Sequence, residues 1–212
     1  MLLALFLQAA LLPGNTMPKA GVLHFVPPAA AQAGMTAASP GEMAALGNAL
    51  FWGEAQARDE TRGLALLEKA ALAGHWQASA SLAQIYRWVR RDAVAALPHA
   101  RIAAQAGDEG AIELLAVMLR DGIGTAADLD GAIRWFARGA IEDRAGQRAN
   151  LVEIYVNRRP DPVKAMAWAL LAGDAISPEG RGVALGRANP QQRLAAQAFA
   201  ARCRASGFLN CD

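Results

Sequence analysis

Three lysines, three histidines, two tyrosines and two cysteines are all that this 212-residue chain contains of those residue types. His24, His75 and His99 are scattered and no cysteine cluster accompanies them, so no set of ligands is spaced for a structural metal. No G-x-S-x-G, G-x-x-x-x-G-K-[ST] or H-E-x-x-H run occurs, which removes the nucleophile elbow, the phosphate loop and the zinc-protease helix. "GIGTAAD" (122–128) has glycines but follows no strand, so it does not read as a phosphate cradle. Charge of one sign is also missing. A formal net charge of +2 is too small to draw the chain to nucleic acid or to an anionic membrane. β-Branched residues are sparse, which argues against an all-strand fold. No apolar run is long enough to cross a bilayer comfortably, so no membrane span is expected in the mature chain. These absences together point away from an enzyme and away from any cofactor or metal.

The residues that are present favour helix. Apolar residues make up 54% and charged residues 19%, the balance of a folded chain rather than a disordered one. Alanine is abundant and suits helix. Eighteen of the 21 basic residues are arginine, an excess that reads first as coding bias. At the N-terminus, "LLALFLQAALLPG" (2–14) and "AGVLHFVPPAAAQAG" (20–34) are apolar, and the second ends in the small-x-small A-Q-A at 31–33. Residues 1–33 therefore read as a secretory signal peptide and 34–41 as a linker, with Ser39 as helix cap and Pro40 at the first helical position. No basic residue precedes the first apolar run, so an uncleaved anchor or a plain apolar tail remain as alternatives.

From residue 42 to 174 the chain repeats itself. "LGNALFWG", "LAQIYRWV", "LAVMLRDG" and "LVEIYVNR" begin at Leu46, Leu82, Leu115 and Leu151, at steps of 36, 33 and 36. Each leucine is followed by a small or β-branched residue (Gly47, Ala83, Ala116, Val152). One turn later comes a large one: Leu50, Tyr86, Leu119 or Tyr155. A second helical stretch follows each time, at 60–74, 92–107, 128–143 and 161–174, opening near an acidic residue. Gly74 and Gly107 suit the left-handed residue that ends a helix, and Pro98 is expected to kink or interrupt its helix. The unit is a helix hairpin that buries its faces only by stacking on its neighbours.

The pattern "ALLEKAALAGHWQASASLAQIY", together with "DGIGTAADLDGA", resembles the SEL-one-like repeat (SLR) family, relatives of the tetratricopeptide repeats. The resemblance implies an all-α fold: a right-handed α-solenoid of about four antiparallel hairpins. It also implies a non-enzymatic scaffold that binds a protein or peptide segment. Its weak points are the fourth unit, where Asp143 and Gln147 replace a glycine and an alanine, and the second loop, "VRRDAV", which has no glycine. Some cysteine-rich members of that family are linked to β-lactams and carry cysteine pairs within the repeats. This chain has none there, so binding or hydrolysis of β-lactams or cell-wall fragments stays an alternative, as does a self-associating structural protein.

In a solenoid of this kind the first helix of each hairpin lines the concave face. Counting from the leucine places Asn48, Phe51 and Trp52 there, then Gln84, Arg87 and Trp88, then Val117, Arg120 and Asp121, then Glu153, Val156 and Asn157. Aromatic, amide and arginine side chains in one groove suit a peptide carrying acidic residues. Trp52 and Trp88 share a register position, and packing between units is the competing role for both. The remaining residues, 175–212, read as a helical cap closed by Cys203 and Cys211. In an oxidising compartment that pair forms a disulfide, against the alternative of two free thiols. Leader and disulfide together place the protein in the bacterial periplasm or outside the cell.

Overall fold

The computed structural model describes residues 39–54, 57–140, 145–208 and 211, so the expected leader (1–33), linker residues 34–38 and Asp143 lie outside the described residues. All regular structure among them is helical. The hairpins are α1 (Pro40–Trp52) with α2 (Glu60–Leu72), α3 (Trp76–Gln84) with α4 (Ala93–Gln105), α5 (Glu109–Asp121) with α6 (Leu129–Gly139), and α7 (Ala145–Glu153) with α8 (Pro162–Ala172). Helices α9 (Pro178–Gly186) and α10 (Pro190–Ala205) pack on α8 and close the stack. This is the four-hairpin α-solenoid with a C-terminal helical end.

Every return from first helix to second is built on the same aspartate. Asp59, Asp92, Asp128 and Asp161 each accept a hydrogen bond from the backbone of the helix they start, which satisfies donors that a helix leaves open. The backbone N–H of each aspartate donates to the carbonyl of Leu50, Tyr86, Leu119 or Tyr155, the large residues one turn after the repeat leucines. The aspartate thus ties loop and helix end together in all four units.

The path to that aspartate takes two forms. In the first and third units, Gly53 (φ 76°) and Gly122 (φ 68°) end the helix in the left-handed region and a long loop follows. In the second and fourth units the same positions hold Val89 and Arg158, which resist that conformation. There the helix widens into a π-helical turn, Ile85–Val89 and Ile154–Arg158, closed by the N–H of Arg90 on Ile85 and of Arg159 on Ile154. The chain then reaches its aspartate three residues sooner. Alternating long and short loops produce the 36, 33, 36 spacing.

Small residues mark where helices cross. Gly47, Ala83, Ala116 and Val152 on the first helices and Gly63, Ala96, Ala132 and Ala165 on the second are all buried. The first unit is tightest: a Cβ on Gly63 would lie 2.6 Å from the Phe51 nitrogen and 2.7 Å from the Gly47 carbonyl oxygen. Between units, Ala70 and Ala78 are buried, as are Ala103 and Ala111. At the junction with the fourth unit the alanine pair becomes a glycine and a glutamine. Gln147 is buried, and the space it needs comes from Gly139 on the preceding helix, where a Cβ would sit 3.3 Å from the Gln147 side chain. The departure at Gln147 is therefore compensated one helix earlier.

Pro98 does not interrupt its helix. Helix α4 runs through it, and the proline ring points to solvent; the missing N–H costs one bond to the Val94 carbonyl. Arginine also has a structural use that coding bias does not describe. Arg138 donates to the Gln105 carbonyl, Arg148 to those of Ala140 and Leu171, and Arg204 to that of Leu170, at or just beyond the last turns of the second helices. These are the negative ends of the helix dipoles, and a forked cation suits them. Arg148 is buried and its guanidinium packs 4.3 Å from the Phe208 ring. The tail that carries Phe208 is held by the Cys203–Cys211 disulfide, with Cα atoms 5.0 Å apart.

Candidate functional site

The first helices form one continuous face: α1 touches α3, α3 touches α5, and side chains bridge α5 to α7. Residues two after the repeat leucine reach solvent to differing degrees: Gln84 is exposed, while Asn48, Val117 and Glu153 are half-buried. Six after it, Trp52 (48% exposed), Trp88 (54%), Asp121 and Asn157 are all open. Both tryptophans therefore stand on the surface rather than in the core.

The position between them needs correction. Phe51 is fully buried, and Val156 is buried as well, so neither lines a surface. This position is one residue beyond the large core residue and lies about 100° further round the helix, on the flank of the buried stripe. Apolar side chains there turn inward. Arg87 and Arg120 at the same position are instead half-buried. Phe51 still acts on the site indirectly, because its ring supports Trp52 edge-on at 5.0 Å between centroids.

The third and fourth units hold a closed charge network. Arg120 makes two hydrogen bonds to Asp121, at 2.9 and 2.7 Å, and a third to Asn150 at 2.6 Å. Arg158 pairs with Asp121 at 2.9 Å and with Glu153 at 3.3 Å, and donates to the Arg120 carbonyl. The Arg120 guanidinium, hydrogen-bonded to Asp121, holds that carboxyl below the usual carboxylate range and is itself raised in return. Two cations and two anions cancel, and the network ties α5 to α7. Sequence counting missed Arg158 and Asn150. Arg158 stands where the first and third units have glycine, so a charged residue at that register was the available signal.

At the second unit Arg87 lies over the Trp88 ring, 4.3 Å from its centroid. Deeper in the same unit, Tyr86 donates to Glu68 at 2.6 Å and stacks on His99 at 5.7 Å. Burial and the Glu68 bond push the Tyr86 hydroxyl up to about 12, and burial pulls His99 down. This trio joins the first hairpin to the second and points no nucleophile at solvent. His75 caps α3 by accepting from the Ala78 N–H. Among the described residues no group of histidine, cysteine and carboxylate side chains is arranged to hold a metal, and no helix is long and apolar enough to cross a membrane.

The Sel1 repeat family matches residues 43–75, 111–142 and 155–176. The second hairpin falls outside these matches although it folds like the others; its loop has no glycine and its second helix contains Pro98. Among solved structures, a Sel1 repeat protein from Oxalobacter formigenes is 20% identical, with a TM-score of 0.54 over 77% of this chain and 73% of that one. A protective antigen of uropathogenic Escherichia coli strains, displaying an SLR fold, is 19% identical with a TM-score of 0.44, over 80% of this chain and 47% of that one. No curated protein sequence matches the chain. Sel1 repeats are in general protein-interaction scaffolds rather than catalytic domains. The chain thus carries three Sel1 repeats, set in a stack of alanine-crossed hairpins.

Proposed function

We propose that this protein is a non-enzymatic adaptor that binds a segment of a partner protein along the face of its first helices, in the bacterial periplasm or outside the cell. The observation that carries the reading is the pair Trp52 and Trp88. Two tryptophans, each about half exposed, stand at one register of successive repeats on a continuous helical face. Large aromatic side chains left open on a rigid surface are the usual anchors of protein interfaces. The Cys203–Cys211 disulfide supports the location, since such bonds persist in oxidising compartments. The apolar leader read from residues 1–33 supports it as well.

Photo-crosslinking tests the face. A photoreactive residue at Gln84 or Asn157 should capture a partner protein that the same residue at Ala65, exposed on α2, does not. Equal capture from all three positions refutes the assignment. Capture of a second copy alone replaces the adaptor by self-association. Intact mass of the exported protein tests the location, expecting cleavage after Ala33 and two hydrogens fewer than the dithiol.

A further inference from the structure

The arginines of this face are satisfied unequally. Arg120 and Arg158 are neutralised by Asp121 and Glu153. Arg87 has the register of Arg120 one repeat earlier, yet among the described residues no carboxylate pairs with it. Its Nε is buried and has no hydrogen-bond acceptor, and its guanidinium rests on the Trp88 ring. Several acids of the first two hairpins are engaged elsewhere, while Glu54, just beyond Gly53, is exposed. Glu60 holds Arg58 and Arg90, Glu68 accepts from Tyr86, and Asp92 caps α4. The positions beside Arg87 on the face are Gln84, Trp88 and, one repeat back, Asn48 and Trp52, none of them acidic. A guanidinium with no carboxylate partner among the described residues, braced by one exposed indole and with a second at the same register one repeat back, is complementary to an anion that brings apolar surface with it.

We propose that Arg87 and Trp88, with Trp52 at the same register one repeat back, anchor an acidic peptide segment: a glutamate or aspartate pairs with Arg87 while a neighbouring apolar or aromatic side chain lies against the tryptophans. This rests on the reading of the first-helix face as the binding surface, and narrows it to its N-terminal half. Charge-assisted, two-pronged bonds from guanidinium to carboxylate are among the strongest polar contacts. The indole behind Arg87 fixes the plane of the fork so that little freedom is lost on binding. In the half built from Arg120, Asp121, Glu153 and Arg158 each arginine already holds a carboxylate, so that half offers no free cation and serves as a rigid wall.

Fluorescence polarisation with three labelled peptides tests this on the full chain. One alternates glutamate with leucine and phenylalanine; the others replace every glutamate by glutamine or by lysine. The acidic peptide should bind about tenfold tighter than the glutamine peptide and weaken as salt rises, and the lysine peptide should not bind. Arg87→Gln should abolish the preference for acid and Arg87→Lys should keep part of it, with unchanged far-UV circular dichroism. Trp52→Ala should weaken the acidic and glutamine peptides alike. If wild type does not discriminate, or Arg87→Gln still prefers acid, the inference fails, and the face survives as a binding surface provided Trp52→Ala weakens both. If no peptide binds, or Trp52→Ala and Trp88→Ala change nothing, inference and surface fall together.

Discussion

Gly63→Ala puts the packing of the first hairpin to a direct test. The new Cβ would lie 2.6 Å from the Phe51 nitrogen and 2.7 Å from the Gly47 oxygen, both backbone atoms that no rotamer change can move aside. Helices α1 and α2 must separate, and the strain belongs at the upper end of the ~1–3 kcal/mol of an overpacked core. Alanine returns about 1 kcal/mol of helix propensity, which leaves a net loss of about 1–2 kcal/mol. For a chain of this size that lowers the melting temperature by roughly 2–8 °C. The control is Gly182→Ala, in α9, where nothing lies within 4 Å of the new methyl and stability should rise by about 0.5–1 kcal/mol. Thermal and urea unfolding followed by far-UV circular dichroism measures both. If Gly63→Ala melts at or above wild type while Gly182→Ala behaves as stated, the close crossing is wrong.

Four other outcomes follow from the same structure. Ala70→Leu should destabilise by ~1–3 kcal/mol in urea unfolding because Ala70 is fully buried, whereas Lys69→Leu, on the exposed side, should stay within about 0.5 kcal/mol of wild type. Gly139→Ala should destabilise and Gln147→Ala should rescue it in part, with a double-mutant coupling of about 0.5–3 kcal/mol, since the added methyl meets the Gln147 side chain as well as that of Ile112. Reducing Cys203–Cys211, or replacing Cys211→Ser, should lower stability by about 2–3 kcal/mol in unfolding with and without reductant, because the closed loop is short. With its hydroxyl raised from 10.0 to about 12, Tyr86 contributes stability that is complete below pH 10 and lost as pH climbs through 12. Tyr86→Phe should therefore show a shallower stability decline across that range, as unfolding at a series of pH values would measure.

What was legible in the sequence was whatever depends on local chemistry. Aspartate at the start of each second helix, glycine at Gly74 and Gly107, Ser39 with Pro40, and small residues after the repeat leucines each state a backbone requirement within a few residues. They were sufficient for the hairpin and for its stacking. The loss of glycine from "VRRDAV" was visible, but not that a π-helical turn would replace it, because that choice depends on where the next helix must begin. Propensity at Pro98 predicts a kink or an interruption, yet α4 continues through it. The site was legible in outline only. Counting positions found the exposed tryptophans but put Phe51 beside them, since a position on the flank of a helix is decided by the neighbouring helix. The pairing of Arg158 with Asp121, and of Arg120 with Asn150, spans two repeats and depends on their offset, which no single repeat contains.

The alternation of glycine-ended and π-ended helices sets the true period of the stack. Leu46 and Leu115 are 69 residues apart, and so are Leu82 and Leu151. The two halves of this longer period are not interchangeable: the long loop of the third unit nestles against the start of α4, with Gly124 so close that a methyl there would fall 2.4 Å from the Ala93 oxygen. A chain lengthened or shortened by one hairpin would set long loop against long loop, or short against short, and lose that seat. Whole pairs of hairpins are the modules in which such a protein can grow, shrink or be recombined while keeping its phase.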